Sequence, residues 1–328
     1  MRYDFVAIGD ITIDVFIKLK DAAVHCKINN EDCELCVKFG QKIPFEEATE
    51  VRAVGNAGNA AVAARRVGLS SGLISRVGKD EHGNQCLETL RQQGVAEDFI
   101  ERQDLPTNYH YVLMYGAERT ILVKQTPFTY SLPNFSEPPK WIYLTSLGEH
   151  AKDFHHEVAA YCKAHPETKL AFQPGTFQIK LGANELKDIY AVSEIFFCNK
   201  EEAKMILKSE SDNIKELMQG IRALGPKIVV VTDGPAGSNI LDESGAFHEP
   251  MYPDPAPPVS RTGAGDATAS TTVAYIALGL TPEEALLRGL INAASVVQGV
   301  GAQTKLLSKD EIEAWYAKRP ADFKATPL

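Results

Sequence analysis

The segment Arg261-Thr262-Gly263-Ala264-Gly265-Asp266 carries the clearest chemistry in the chain. Two glycines one residue apart let a backbone turn tightly and approach a ligand closely. The small residues that follow, Ala267-Thr268-Ala269-Ser270-Thr271-Thr272-Val273, read as a helix. The first amides of a helix lack intrahelical acceptors and its N-terminus is partly positive, so such a turn favours an anion. A carboxylate at the same place repels an anion unless it has another task. Taking the proton from an attacking hydroxyl is such a task for Asp266. The competing reading is that Asp266 only caps the helix, and spacing alone does not separate the two. No G-x-x-x-x-G-K-S/T loop occurs, and Gly263-Ala264-Gly265-Asp266-Ala267-Thr268 lacks the third glycine of the dinucleotide fingerprint.

Other polar residues admit two readings each. Asp14 follows a run in which Ile11, Ile13 and Val15 alternate with Thr12 and Asp14. It is either a solvated strand end or a carboxylate that accepts from vicinal hydroxyls. Asn56 and Asn59 flank Gly58 at a helix start, where one caps the helix or both offer amides that donate and accept. Asn199 and Glu202 have capping-box spacing. Gly234 and Gly237 suit a tight hairpin between residues 229–231 and 238–241. Cys33 and Cys36 have the spacing of one zinc knuckle, with Cys26 and His25 nearby. Zinc sites commonly pair two knuckles, so the expectation is three thiols in a hairpin and no metal ligands. His150, His155 and His156 lie on a polar helical stretch and are expected to be exposed.

Elements that would position these residues alternate along the chain. Short apolar runs at 3–8, 73–76, 141–144, 169–172, 195–198 and 227–232 read as buried parallel strands. Helical stretches at 59–67, 81–93 and 213–224 each stop at a glycine, Gly68, Gly94 and Gly225. Thr281-Pro282-Glu283-Glu284 and Ser308 with Glu311 open two more helices. Such alternation predicts a doubly wound parallel sheet. Residues 15–52 and 107–130 break it. Strands are expected there at 15–19, 37–39, 46–53, 109–115 and 119–124, the last two joined by a turn at Gly116-Ala117. They read as antiparallel ribbons that meet as a small β lid.

The formal charge of −9, from 43 acidic and 34 basic residues, argues against a general nucleic-acid binder. No run reaches the roughly 18 apolar residues of a membrane helix. The first residues do not resemble a signal peptide, so a cytoplasmic protein without a membrane partner is expected. Of the six cysteines, Cys86, Cys162 and Cys198 fall in periodic segments and are expected to be buried.

Five motifs, in order, resemble those of the PfkB/ribokinase carbohydrate kinases. Gly9-Asp10-Ile11-Thr12-Ile13-Asp14 is similar to the first-strand G-D-x-x-x-D. Val54-Gly55-Asn56-Ala57-Gly58-Asn59 is similar to G-G-x-x-x-N. Asn199-Lys200-Glu201-Glu202 matches N-x-x-E, and Thr232-Asp233-Gly234-Pro235-Ala236-Gly237 matches T-x-G-x-x-G. Thr262-Gly263-Ala264-Gly265-Asp266 resembles the end of D-T-x-G-A-G-D.

The resemblance implies one ribokinase-like α/β domain over residues 1–328: a doubly wound, mostly parallel sheet flanked by helices, with the lid at 15–52 and 107–130. It implies ATP-dependent phosphoryl transfer to a hydroxyl of a sugar or sugar-like molecule. Asp266 becomes the base, and the amides of Gly263, Ala264 and Gly265 the anion hole. Asp14, Gly55, Asn56 and Asn59 hold the acceptor. Asn199, Thr232, Gly234, Gly237 and Asn292 serve the nucleotide, and Glu202 serves Mg²⁺ through water. Family lids often pair across a dimer, so a homodimer is expected by analogy. The alternatives are a nucleoside kinase, with Phe16, Phe39 and Phe45 stacking on a base, and a silent sugar- or nucleotide-binding regulator.

Departures from the family pattern bear on these implications. Ser260 and Arg261 replace the usual Asp and frequent Thr, and that Asp helps hold potassium in potassium-activated members, so potassium activation does not carry over. Asn56 replaces the lysine of ribokinases proper. Gln173 stands where Asn or Asp precedes proline.

Overall fold

The structure is a computed structural model, and it describes residues 2–26, 33–116 and 118–328. Residues 27–32 of the expected lid and Ala117 of the expected turn lie outside the described residues. Along the chain, β1 (Phe5–Ile8) runs into β2 (Thr12–Leu19), the hairpin β3 (Ala23–His25) and β4 (Glu34–Cys36), and β5 (Phe45–Val54). Then come α1 (Asn56–Arg66), β6 (Ser71–Gly78), α2 (Glu81–Gln92), β7 (Ile100–Gln103), β8 (Tyr109–Tyr115) and β9 (Glu118–Leu122). The middle of the chain holds β10 (Trp141–Leu144), α3 (Lys152–Ala164), β11 (Lys169–Phe172), α4 (Thr176–Leu181), α5 (Lys187–Val192), β12 (Ser193–Asn199) and α6 (Lys200–Leu207). It closes with α7 (Ile214–Ala223), β13 (Ile228–Thr232), β14 (Ser238–Leu241), β15 (Ala246–Glu249), α8 (Ala264–Ala277), α9 (Pro282–Val296), α10 (Lys309–Ala317) and β16 (Thr326–Pro327).

The apolar runs become strands because helices cover both of their faces. The main sheet has the order β16-β15-β14-β13-β12-β11-β10-β1-β6-β7. Pairing is parallel from β13 to β7 and antiparallel from β13 to β16. Phe5, Ala7, Tyr143, Ala171 and Val230 pack on one face with α1, α8 and α9. Val6, Ile8, Ile142, Phe172 and Val231 pack on the other with α3, α5, α6 and α7. Gly68, Gly94 and Gly225 all take positive φ just past their helices, as their helix-stopping role requires. The chain winds from β1 outward to β6 and β7, then from β10 outward to β13. The order reverses between β1 and β10, where a doubly wound sheet opens a crevice at its strand ends.

The second sheet has the order β5-β2-β8-β9. β2 pairs antiparallel with β5, and β8 antiparallel with β9, but β2 pairs parallel with β8. The two expected ribbons therefore join into one mixed sheet. The strand expected at 37–39 is absent: β4 ends at Cys36, and Phe39 is fully exposed with nothing to pair it.

Two other expectations are corrected. Cys26 and Cys33 form a disulfide, leaving Cys36 as the thiol of the cluster. The β3–β4 register pairs His25 with Glu34 and Ala23 with Cys36. Alternation along the ladder sets His25 and Cys36 on the face opposite Cys26 and Cys33, which separates the would-be zinc ligands. His155 is buried, not exposed, because its Nδ1 bonds Ala151 O at 2.6 Å and its Nε2 meets Gln178 at 3.2 Å. Cys86, Cys162 and Cys198 are buried as expected. Among the described residues no helix is long and apolar enough to cross a membrane.

Candidate active site

The crevice at the sheet's switch point is a cleft of about 550 Å³. Strand ends supply most of its floor: Asp10 after β1, Ser146 after β10, Gln173 after β11, Asn199 closing β12 and Thr232 closing β13. The lid sheet supplies Asp14 and Phe16 from β2, His110 from β8, and Arg119 and Ile121 from β9. The α8 end supplies Thr262, Gly263, Gly265 and Asp266.

Gly263 caps α8 at φ 85, and a Cβ there would lie 2.3 Å from Ala302 Cβ, so only glycine fits. Ser260 Oγ accepts from Thr262 N at 3.2 Å and donates to Thr262 Oγ1 at 2.9 Å, which shapes the approach to that turn. Gly263 and Gly265 line the cleft, while Ala264 between them does not. Asp266, in the first turn, makes no side-chain cap bond. Its Oδ2 instead accepts from Asn59 Nδ2 at 2.8 Å and its Oδ1 from Gln173 Nε2 at 3.3 Å. Burial raises the Asp266 carboxyl above the usual carboxylate range, and the Asn59 and Gln173 N–H groups and the Arg119 charge oppose that rise.

Neither Asn56 nor Asn59 caps α1. The cap is Gly55, at φ 95, where a Cβ would meet Asp10 O at 2.8 Å. Asn56 lines the cleft from the first turn. Asn59 is buried and serves Asp266 directly. Asp14 and His110 sit opposite each other on β2 and β8, with His110 Nδ1 3.4 Å from Asp14 Oδ1. That oxygen is buried and, among the described residues, has no hydrogen-bond partner, so its capacity to accept is unused. Asp10 accepts from Gln125 Nε2 at 2.6 Å, from Gly148 N at 2.9 Å and from the Tyr130 hydroxyl. Burial raises its carboxyl despite these donors.

Asn199 and Glu202 form a reciprocal capping box at α6. Asn199 Oδ1 accepts from Glu202 N at 2.8 Å, and Glu202 Oε2 accepts from Asn199 N at 2.9 Å. Both also line the cleft, so the capping and functional readings coexist. Burial, joined by the charge of Asp266, raises the Glu202 carboxyl against the Asn199 N–H.

Thr232 lines the cleft, but Gly234 and Gly237 do not; they take φ 51 and 93 in the turn between β13 and β14. Asn292 stands apart from the cleft. It is fully buried in α9, donating to Thr271 Oγ1 at 2.8 Å and accepting from Leu307 N at 2.9 Å, as a brace between helices. Phe16 reaches the cleft, whereas Phe39 and Phe45 are exposed away from it. The sequence reading missed Arg119, His110 and Gln125 as site residues. Their signal was a polar residue on a lid strand or just after one, which has meaning only once the lid's partner is known.

Residues 21–309 match the pfkB family carbohydrate kinases. Ribokinase of Bacillus subtilis is 29% identical over 272 residues, covering 79% of this chain and 86% of that protein. The fold superposes on nucleoside kinase of Methanocaldococcus jannaschii, an archaeal member of the ribokinase family, at TM-score 0.79 and 18% identity, covering 97% and 99% of the two chains. It superposes on Arabidopsis thaliana ribokinase, complexed with ribose and ATP, at TM-score 0.78 and 18% identity, covering 96% and 98%. With a doubly wound sheet, a β lid and a glycine-flanked aspartate at the switch point, the chain belongs to the pfkB family of carbohydrate kinases, phosphotransferases that act on hydroxyl groups.

Proposed function

We propose that residues 1–328 work as one kinase domain, lidded by 15–52 and 107–130, that moves the γ-phosphoryl group of ATP to a hydroxyl of a sugar or sugar-like molecule. One observation carries this reading. The Asp266 carboxyl stands in the first turn of a glycine-capped helix and lines the same cleft as Asp14, whose Oδ1 has no hydrogen-bond partner among the described residues. Asp266 takes the acceptor's O–H proton as that oxygen bonds to the γ-phosphorus; the phosphorus–oxygen bond to ADP breaks and ADP leaves. The amides of Gly263, Ala264 and Gly265 offset charge on the transferred group. Asp14, Gly55 and Asn56 hold the acceptor. Asn59 acts on it through Asp266, since its amide is occupied there.

Asn199, Thr232, Gly234 and Gly237 serve the nucleotide. Asn292 supports that pocket only through Thr271 and Leu307. Among the described residues no three acidic, histidine or cysteine side chains converge as a metal cage. Glu202 beside Asp266 suits Mg²⁺ that keeps most of its waters, and the ion would neutralise phosphate charge. Closure of the lid excludes water from the reacting groups.

The test is Asp266→Asn, assayed by ADP release with ribose, fructose, ketodeoxygluconate, adenosine and cytidine. Turnover on the best parent substrate should fall about a thousandfold or more while ATP affinity is kept. Near-parent turnover overturns the base assignment. Phe16 in the cleft favours a second reading, a nucleoside acceptor stacked on that ring. The same panel decides between them.

A further inference from the structure

Two buried donors stand behind the groups that touch Asp266. Tyr143 in β10 is fully buried, and its hydroxyl donates to Gln173 Oε1. Gln303 is also buried, and its Nε2 donates to Asn59 Oδ1 at 3.1 Å and to Ala53 O at 2.9 Å. Neither Tyr143 nor Gln303 lines the cleft.

A primary amide accepts at one end and donates at the other. With its oxygen engaged from behind, Gln173 turns Nε2 to Asp266 Oδ1, and Asn59 turns Nδ2 to Oδ2. Reversed, either amide would set a carbonyl oxygen against a carboxylate, two acceptors in contact with no proton between them. Burial and the nearby Asp266 charge keep the Tyr143 hydroxyl protonated, and Gln173 Oε1 is the acceptor that it meets; a reversed Gln173 would turn N–H groups toward that hydroxyl and take the acceptor away.

We infer that Tyr143 and Gln303 are positioning residues, which fix the donor ends of Gln173 and Asn59 on Asp266 and so govern how readily that carboxyl gives up its proton. The catalytic meaning of this arrangement rests on Asp266 being the base; its test does not. Other charged groups line the same cleft: Arg119 from β9 and Glu202 from α6, which feel the Asp266 charge, with Asp10 after β1, Asp14 and His110 from the lid, Lys180 from α4 and Arg261 beside the turn. None of these is touched by the variants below, so their fields stay constant through the comparison.

The experiment is a carbon-13 NMR titration of aspartate-labelled protein, with the Asp266 carboxyl signal assigned by its loss in Asp266→Asn. Tyr143→Phe should raise the Asp266 midpoint by about one pH unit, because Gln173 is free to turn its oxygen inward. Gln173→Met should raise it at least as far. In the Gln173→Met background, Tyr143→Phe should add nothing, since no amide is left to orient. A merely structural tyrosine would lower the melting temperature and leave the midpoint in place.

An unmoved midpoint in Tyr143→Phe overturns the inference, as does a Tyr143→Phe shift that persists undiminished without Gln173. If Tyr143→Phe does not fold, Gln173→Met decides alone, and an unmoved midpoint there also overturns it. Turnover of Asp266→Asn is read separately. If it persists, the base reading fails while the titration result stands on its own.

Discussion

Glu249→Gln tests the electrostatics of the antiparallel edge of the main sheet. Glu249 closes β15 opposite Ser238 and is fully buried, and neither carboxyl oxygen has a hydrogen-bond partner among the described residues. Burial, with a smaller push from the Glu283 charge, raises its carboxyl from 4.5 to about 9. The folded chain therefore keeps a proton that the unfolded chain releases near the lower value. Stability contributed by this group is fully present below the unfolded value and is lost as pH rises toward about 9. Each pKa unit is worth about 1.4 kcal/mol, so at about pH 7 the cost is on the order of 3 kcal/mol.

Glutamine has nearly the same shape and never ionises, so the variant loses that slope. Its amide brings its own unsatisfied N–H groups, a penalty that does not change with pH. The diagnostic is therefore the pH dependence of the difference between the two proteins. Urea unfolding followed by circular dichroism, from about pH 5 to about pH 9, should show the variant gaining on the parent by about 3 kcal/mol between about pH 5 and about pH 7. Parallel curves across that range would mean Glu249 finds a partner or a route to water, and the argument from burial would fail.

Two further substitutions probe the packing and the nucleotide end. At Gly58, an added Cβ would lie 2.3 Å from Ala53 O, and Ala53 itself holds φ 54, so the backbone has little room to yield. Gly58→Ala should cost roughly 1–3 kcal/mol in a thermal melt despite alanine's better helix propensity, and an unchanged melting temperature contradicts the close approach. Asn199→Ala removes the α6 cap and should cost about 1 kcal/mol. If the side chain also serves the nucleotide, calorimetric affinity for Mg-ATP should fall roughly tenfold, a loss of about 1.4 kcal/mol. A falling melting temperature with unchanged affinity reduces Asn199 to a cap.

The central strands were legible because continuous burial leaves a continuous apolar run. The runs at 141–144 and 169–172 coincide with β10 and β11, and the run at 195–198 lies within β12. The lid was legible as a departure from that pattern but not in its pairing. β2 meets β8 in parallel across a long separation, Ile13 beside Tyr109, and no local turn signals such a contact. For the same reason Asp14 stood out through its motif while His110 and Arg119 did not. Local polarity misled at His155, and Glu249 drew no reading. His155 reads as polar surface, yet its ring is satisfied by the Ala151 carbonyl of its own helix turn. Glu249 gave no sign of burial because a strand glutamate ordinarily marks the wet face. Asn292 was assigned by resemblance alone, and its bonds to Thr271 and Leu307 account for it as a brace.

Asp266 and Glu202 line one cleft, and their surroundings differ. Burial raises both carboxyls. Asp266 has three restraints on that rise, from Asn59, Gln173 and Arg119, whereas Glu202 has the single N–H of Asn199. The Asp266 charge pushes Glu202 further up. In the proposed reaction the base must be ionised before its acceptor arrives, and the donors around Asp266 suit that demand. A cation beside Glu202 would favour its ionised form against burial and the Asp266 charge. The asymmetry comes from which strand ends lie beside each acid: β11 delivers Gln173 to Asp266, while β12 delivers only a helix cap to Glu202.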